Sequence, residues 1–375
     1  MTATWILTGL SAACWALFLY PYIIYPRVLG LLSPRPINLR PTSLSVSLLF
    51  CAHNEIECLP EKIENLRELK RASQAFEILV YDDMSEDGTF ELLRGAADLL
   101  TVVRGRTRTG KAAGMKRLVS RASGKVLIFT DANIMLSQDL IERLLPYYGD
   151  SSIGGVSGTI KSIPQGASLT GDIGSAYLTI DDKLQHLESR TGNVMGASGG
   201  LFSVRRELYP EFPDTVQDDF AVSMSVIFQD KRLVKAPDVV AFERSVSRRD
   251  EELKRKVRIG ARAFHTHRFL WPQIIQMSAR DRMKYVSRKV LRWFGGIFVI
   301  FGGLFGLAAV ATLSKAFAVA IALAVLLTVA ASLRSTGGAL GKIGEIGLAT
   351  FATLVGVIQG MRGHTMATWA PAKSR

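Results

Sequence analysis

Cysteine is scarce. Cys14, Cys51 and Cys58 are the only three in 375 residues. None forms a C-x-x-C pair and one lies inside an apolar run, so they read as reduced structural thiols, not a disulfide framework or a zinc site. The five histidines carry no metal pattern. His265 and His267 are two apart, point to different faces of a helix, and are read as surface residues. Acid is in deficit, with 33 Asp and Glu against 46 Lys and Arg, for a net charge of +13. A basic balance can mark a nucleic-acid binder. Here much of the excess sits beside apolar runs, where it meets anionic lipid headgroups, so membrane lipids are the expected partner and nucleic acid is not. No internal repeat or low-complexity segment stands out.

Charge is absent from Trp5 to Ile24. Three further apolar stretches run from Phe294 to Leu313, Ala316 to Leu333 and Ile346 to Ile358. About 20 apolar residues cross a bilayer, which predicts one span before the central segment and about three after it. No Lys or Arg precedes Trp5, so the first run is read as a retained helix and not a cleaved signal. Basic residues Arg27 to Arg40 and Arg280 to Arg292 place the central segment on the cytoplasmic side of a plasma or inner membrane. Four spans then put both termini outside, which leaves Arg362, Lys373 and Arg375 on the side that basic residues avoid. The expected divisions are residues 1–42 for the first span and linker, 43–262 for an α/β domain, 263–293 for an amphipathic interfacial segment, and 294–375 for the C-terminal spans and tail.

Within the α/β domain, strand and helix signals alternate. Strands are predicted at Ser45–Phe50, Phe76–Tyr81, Thr101–Arg104 and Lys125–Thr130, and helices at Pro60–Leu69, Thr89–Leu100 and Lys111–Ser120. That order predicts a doubly wound parallel sheet, which binds ligands beyond the carboxyl ends of its strands. Three of those ends are polar: Asn54 with Glu55, Asp82 with Asp83, and Asp131 with Asn133. Carboxylates around one crevice suit a cation or a hydroxyl-rich ligand. Asp131 is placed to hold Mg²⁺ or Mn²⁺ on a diphosphate, or else to cap the helix that follows.

Gly105 to Lys111 has the spacing of a phosphate loop, but Ala112 stands where a magnesium-binding hydroxyl is needed. A nucleotide-hydrolase reading fails there, although Lys111 can still meet a phosphate at a helix start. Asp218 and Asp219 open an apolar helical run. They are either caps or include a general base that takes a proton from an attacking hydroxyl. Gly196 to Gly200 is small enough to let a bulky ligand approach. Arg255 and Arg258 share a helix face and can both reach phosphates.

Taken in order, C-A-H-N-E (Cys51–Glu55), Y-D-D-M-S-E-D-G-T (Tyr81–Thr89), G-K-A-A-G (Gly110–Gly114), D-A-N (Asp131–Asn133), G-A-S-G-G-L-F-S-V-R-R (Gly196–Arg206) and Q-D-D-F (Gln217–Phe220) resemble the membrane-bound family-2 glycosyltransferases. The resemblance covers roughly Ser45 to Arg262 and implies a GT-A-type mixed sheet. It also implies that Ala52, Asn54, Glu55 and Asp83 hold the base and ribose of a nucleotide-sugar donor, with Lys111 near the diphosphate. Asp131 and Asn133 take the metal positions, Asn133 replacing the more usual Asp. Asp219 matches the base and Asp218 its neighbour, while Gly199 and Gly200 line the acceptor site. The Q-x-x-R-W motif of processive members is missing, and Arg255-Lys256-Val257-Arg258 stands in its place. The implied activity is inverting transfer to a glycan or lipid-linked acceptor in polysaccharide synthesis. The alternatives are a polyprenyl-phosphate sugar transferase and a non-catalytic scaffold or transport component.

Overall fold

The computed structural model describes residues 1–73, 76–163, 169–244, 248–335, 337–365 and 368. Four short strands, β1 (Val46–Ala52), β2 (Phe76–Asp82), β3 (Thr101–Arg104) and β4 (Val126–Asp131), pair in parallel in the order β3-β2-β1-β4. Every residue of β1 is buried, as expected of a central parallel strand covered on both faces. The crossover helices are α2 (Leu59–Ala72), α3 (Thr89–Arg94) and α4 (Lys111–Val119). All seven predicted elements are present. The helix expected to reach Leu100 stops at Arg94, where Gly95 follows and lowers helix propensity.

Beyond β4 the sheet changes direction. The short β5 (Met135–Leu136) is followed by α5 (Leu140–Leu144), β6 (Ile153–Ile163), α6 (Leu169–Arg190), β7 (Leu201–Arg205), α7 (Asp218–Phe228) and β8 (Arg232–Arg244). β7 runs antiparallel to β4 and to β6, so the sheet is mixed, in the order β3-β2-β1-β4-β7-β6-β8-β5. Register decides what meets at the strand ends. Ala52 lies beside Asp82, Cys51 beside Asp131, and Leu201 beside Thr130. Loops that are distant in the chain therefore open on one edge.

α8 (Arg249–Ile274) runs without a break across residues 262 and 263. It leads to α9 (Ala279–Tyr285), a π-helical turn at Val286–Val290, and α10 (Leu291–Trp293). One face of this region joins the core through Leu270, Ile274, Tyr285 and Trp293, while Phe269, Trp271 and Val286 stay exposed. His265 and His267 are not surface residues, as their spacing had implied; both are partly buried. His267 stacks on Tyr285 and meets Trp271 and Trp293 edge-on, with Nδ1 2.8 Å from the Tyr285 hydroxyl.

The apolar helices are α1 (Thr2–Leu31), α11 (Gly295–Ala311), α12 (Lys315–Arg334) and α13 (Gly338–Met361). α1, α12 and α13 are each long and apolar enough to cross a membrane. The rod from Ala279 to Trp293, bent by 65° against α11, makes a fourth candidate when counted as one span. α1 and α11 pack side by side: Thr4 meets Thr312 at 2.7 Å, and the Ser11 hydroxyl donates to the Gly302 carbonyl at 2.8 Å.

A buried ionic network ties this region to the sheet. Glu188 of α6 accepts from Tyr25 of α1 at 2.6 Å and from Arg288 at 2.6 Å. Asp181 accepts from Arg288 at 2.9 Å, Arg292 at 3.0 Å and Gln185 at 2.9 Å. Removing one partner of such a pair strands a buried charge. Glu188→Ala is expected to lose about 3 kcal/mol of stability, read as a lower unfolding midpoint in detergent; an unchanged midpoint would show the network to be dispensable.

Candidate active site

Asp131 ends β4, with its side chain 39% exposed, and its Oδ1 lies 2.7 Å from the Lys111 ammonium. Lys111 opens α4 directly after Gly110, whose φ of +88° only glycine adopts readily. Asp218 opens α7 and is buried, with Oδ2 3.9 Å from Lys111 and Oδ1 3.8 Å from the buried Arg262. Residues from β4, α4, α7 and α8 thus meet around one ammonium group. Burial alone would lower the Lys111 pKa, but Asp131, Asp218 and Asp219 outweigh it and hold the lysine charged.

Asp219 follows on α7, where its Oδ1 accepts from the Phe220 amide at 2.9 Å. Burial first, and Asp218 second, push its carboxyl above the ordinary range, against the pull of Lys111 and Arg262. A carboxylate of raised pKa is a better proton acceptor. Gly199 sits against it: a Cβ there would collide with the Asp219 carboxylate. The Gly200 carbonyl accepts from Thr130 at 2.9 Å, which fixes this loop to the end of β4.

The β1 and β2 ends form the other wall. Both Asp83 oxygens are engaged, accepting from the amides of Thr109 at 2.7 Å and Gly110 at 2.9 Å. Asp83 therefore positions the loop before Lys111. Asn54, with φ of +53°, accepts from the Glu86 amide at 2.9 Å, and Glu55 is buried next to Cys58. Ala52 is buried at the strand end, its carbonyl accepting from the Asp83 amide at 2.9 Å.

Arg255 is held by Glu252 at 3.3 Å and Glu243 at 3.8 Å. Burial would lower its pKa, but these two carboxylates and, more weakly, Asp131 raise it. The Asp131 contribution brings Arg255 within electrostatic reach of the pocket, and Arg258, three residues on, is half-buried.

The metal positions can be tested on their chemistry. Asn133 is buried, and its Nδ2 has no hydrogen-bond partner. Among the described residues, no group of three or more His, Cys, Asp and Glu is arranged to hold a metal. Mg²⁺ on a diphosphate needs only one or two carboxylates from the protein, because phosphate and water supply the rest. The half-exposed Asp131 can supply such a carboxylate, whereas the orphaned Asn133 Nδ2 is a donor that suits a phosphate oxygen, so that only the Oδ1 of Asn133 could face the ion.

Two contributors escaped the sequence reading. Lys62 of α2 is fully buried and donates to the Ile134 carbonyl, bracing the Asp131–Asn133 turn from below. Its signal was a charge within the apolar stripe Leu59, Ile63, Leu66 and Leu69. Arg262 was not singled out, although it is seven residues after Arg255 and so on the same helix face.

Comparisons with known proteins bear on the family and the fold. Residues 47–212 match the model of glycosyl transferase family 2. Over 102 residues the chain is 30% identical to an uncharacterized glycosyltransferase, YfnE, of Bacillus subtilis, covering 27% of this chain and 26% of that protein. Over 170 residues it is 26% identical to the beta-monoglucosyldiacylglycerol synthase of Synechocystis, covering 44% of this chain and 35% of that one. The chain thus spans about a third or less of the length of these curated relatives. A mannosyltransferase from Pyrobaculum calidifontis, solved with GDP-mannose and Mn²⁺, superposes with a TM-score of 0.74 at 21% identity, over 94% of this chain and 99% of that one. At that identity the likeness speaks for the fold.

The mixed sheet, with Asp131 from its parallel half and Asp218 and Asp219 from α7 gathered on Lys111, is a GT-A-type glycosyltransferase fold. Through residues 47–212 the protein is similar to glycosyl transferase family 2.

Burial lowers the Lys62 pKa to about 7, against some help from Asp131, and the unfolded chain restores it to about 10.4. Between these values the unfolded state binds the extra proton, so this residue makes stability rise with pH, by up to about 1.4 kcal/mol per unit. The stability of Lys62→Met relative to the parent should therefore fall from pH 7 to pH 10 in chemical denaturation; a constant difference contradicts the assignment.

Proposed function

We propose that the protein is an inverting glycosyltransferase that moves a sugar from a nucleotide diphosphate sugar to a hydroxyl of a glycan or glycolipid acceptor, at the cytoplasmic face of a membrane, in cell-surface polysaccharide synthesis. The observation that carries this reading is the convergence of Asp131, Asp218 and Asp219 on Lys111. UDP-sugars are the first donors to test.

In this reading Asn54, Glu55 and Asp83 line the nucleotide side, and Lys111, with Arg255 and Arg258 from α8, faces the diphosphate. Asp131 and Asn133 would hold a Mg²⁺ or Mn²⁺ ion, whose charge would offset that of the departing diphosphate. Lys111 needs no reorganisation to do the same, because it is already charged and already held. Asp219 takes the acceptor hydroxyl proton as the oxygen attacks the anomeric carbon, and its raised pKa favours that transfer. Gly199 leaves room for the hydroxyl beside it. The name of the Synechocystis relative supports a lipid acceptor, and the apolar helices support a membrane setting.

Asp219 works as a base only when ionised, so activity is lost as pH falls through its raised pKa. The acid limb of kcat should lie above the usual carboxylate range. Asp219→Asn should reduce turnover about 10²- to 10⁴-fold, measured as nucleoside diphosphate release with a panel of nucleotide sugars and acceptors. Near-normal turnover would favour an acceptor phosphate, which is ionised already and needs no base. Asp131→Ala should abolish turnover with the fold intact by circular dichroism. Full activity in that variant, with divalent ions present or chelated, removes the metal assignment. No diphosphate release with any donor would support the non-catalytic reading.

A further inference from the structure

We infer that α13 does not cross the bilayer but lies along its inner surface, a flat helix clamped between lipid and the α8 helix of the catalytic domain. Length and hydropathy qualify α13 as a span, yet its contacts differ from those of the others. In its most apolar window 39% of residues are buried inside the protein, against 6% for α1 and for α12.

The partner of α13 is α8, and the two run side by side in the same direction. Near the start of both helices Glu345 pairs with Arg249 at 2.5 Å and accepts from Thr170 of α6 at 3.2 Å. Further along, a Cβ on Gly260 would lie 2.8 Å from the Thr353 carbonyl, and one on Gly360 would lie 2.6 Å from that of Ala261. At the far end Arg268 donates to the Met361 carbonyl at 3.4 Å. α8 reads R-D-E-E-L-K-R-K-V-R in its first ten residues and cannot enter hydrocarbon. A helix laid along it from end to end cannot enter far either.

The true spans agree. α11 leaves the catalytic domain at Gly295, and its far end at Thr312 meets Thr4 of α1. α13 meets both helices at their near ends. Leu354 packs on Gly296 at the start of α11, and Gly344 packs on the Ser332 carbonyl near the end of α12. Arg249 also donates to the Leu333 carbonyl at 2.9 Å, which holds the end of α12 at the domain surface. α13 therefore passes beneath the inner ends of α11 and α12.

Its other face shows Leu340, Ile343, Phe351, Val355 and Ile358, all exposed and spaced three, four or eight apart on one stripe. An apolar stripe backed by a polar-anchored face is the pattern of a helix in the lipid interface. α11 and α12, whose near ends α13 meets, also expose apolar residues such as Leu304 and Leu326, so the occupant is the inner leaflet. Charge follows. With three crossings the chain ends on the catalytic side, so Arg362 meets the inner leaflet where basic residues belong. Lys373 and Arg375, outside the described residues, belong to the same basic tail in sequence.

The inference depends on which side of the bilayer the catalytic domain occupies, not on its chemistry. Single cysteines would be introduced into the full chain in a bacterial inner membrane, with the unsubstituted protein as blank. An impermeant maleimide should label Leu313→Cys, in the α11–α12 turn, in intact spheroplasts. His364→Cys and Glu207→Cys, the latter on the catalytic domain, should label only after lysis. Labelling of His364→Cys in intact spheroplasts while Glu207→Cys stays protected overturns the inference, whatever the enzyme activity. Depth gives a second reading through a fluorophore at Leu340→Cys, Phe351→Cys or Ile358→Cys, quenched by doxyl lipids. A flat helix puts all three at one depth within about one turn, 5.4 Å. A crossing helix spreads them over about 27 Å, at 1.5 Å per residue, and that spread refutes the placement.

Discussion

The site depends on one lysine being kept positive in a place that disfavours charge. Lys111 sits where the parallel strands end, and desolvation there works against its ammonium. Asp131 supplies the closest counter-charge, while Asp218 and Asp219 add to it from a helix on the antiparallel side of the sheet. Each carboxylate is in turn tolerable because the cation is present. The cluster is mutually dependent, and removing any member unbalances the rest. Its residues lie close because Gly110 turns the chain into α4 and because Asp83 binds the loop just before it.

The same logic recurs at the membrane side. Asp181 and Glu188 are neutralised by Arg288 and Arg292, and Gln185 links Asp181 to the Ser198 hydroxyl at 3.1 Å, one residue from Gly199. The loop in front of Asp219 is thereby connected by hydrogen bonds to the helical segment that leads into the apolar helix α11. Two ionic groups, one around Lys111 and one around Arg288, are therefore both joined to this loop.

Much of this was legible from residue order. The strands from Val46 to Asp131 announce themselves by apolar runs that end in acids, because a parallel strand is buried on both faces and its ligand-binding end is not. The convergence of those ends follows from register, which hydropathy does not encode; the pairing of Ala52 with Asp82 had to be seen. Lys62 was hidden because a lysine in an amphipathic helix is ordinarily solvated, and only its place in an apolar stripe marks it out. The two histidines misled for a related reason: spacing says which faces they take, but not that Trp271, Tyr285 and Trp293 close over one of them. Hydropathy also cannot tell a helix exposed along its length from one docked on the protein: α13 is apolar enough to span, yet Gly356 and Gly360 seat it closely against α8.

The pairing of α1 with α11 has a consequence for how the molecule is made. Thr4 and Thr312, hydrogen-bonded in the finished protein, are 308 residues apart. At ordinary translation speeds of about 5–20 residues per second, roughly 15–60 s separate their emergence from the ribosome. In the proposed membrane setting α1 waits in the lipid alone throughout that interval, while the α/β domain is synthesised and begins to fold. In that setting the first helix has to be stable in the bilayer on its own, and at 30 residues it is long enough to cross one.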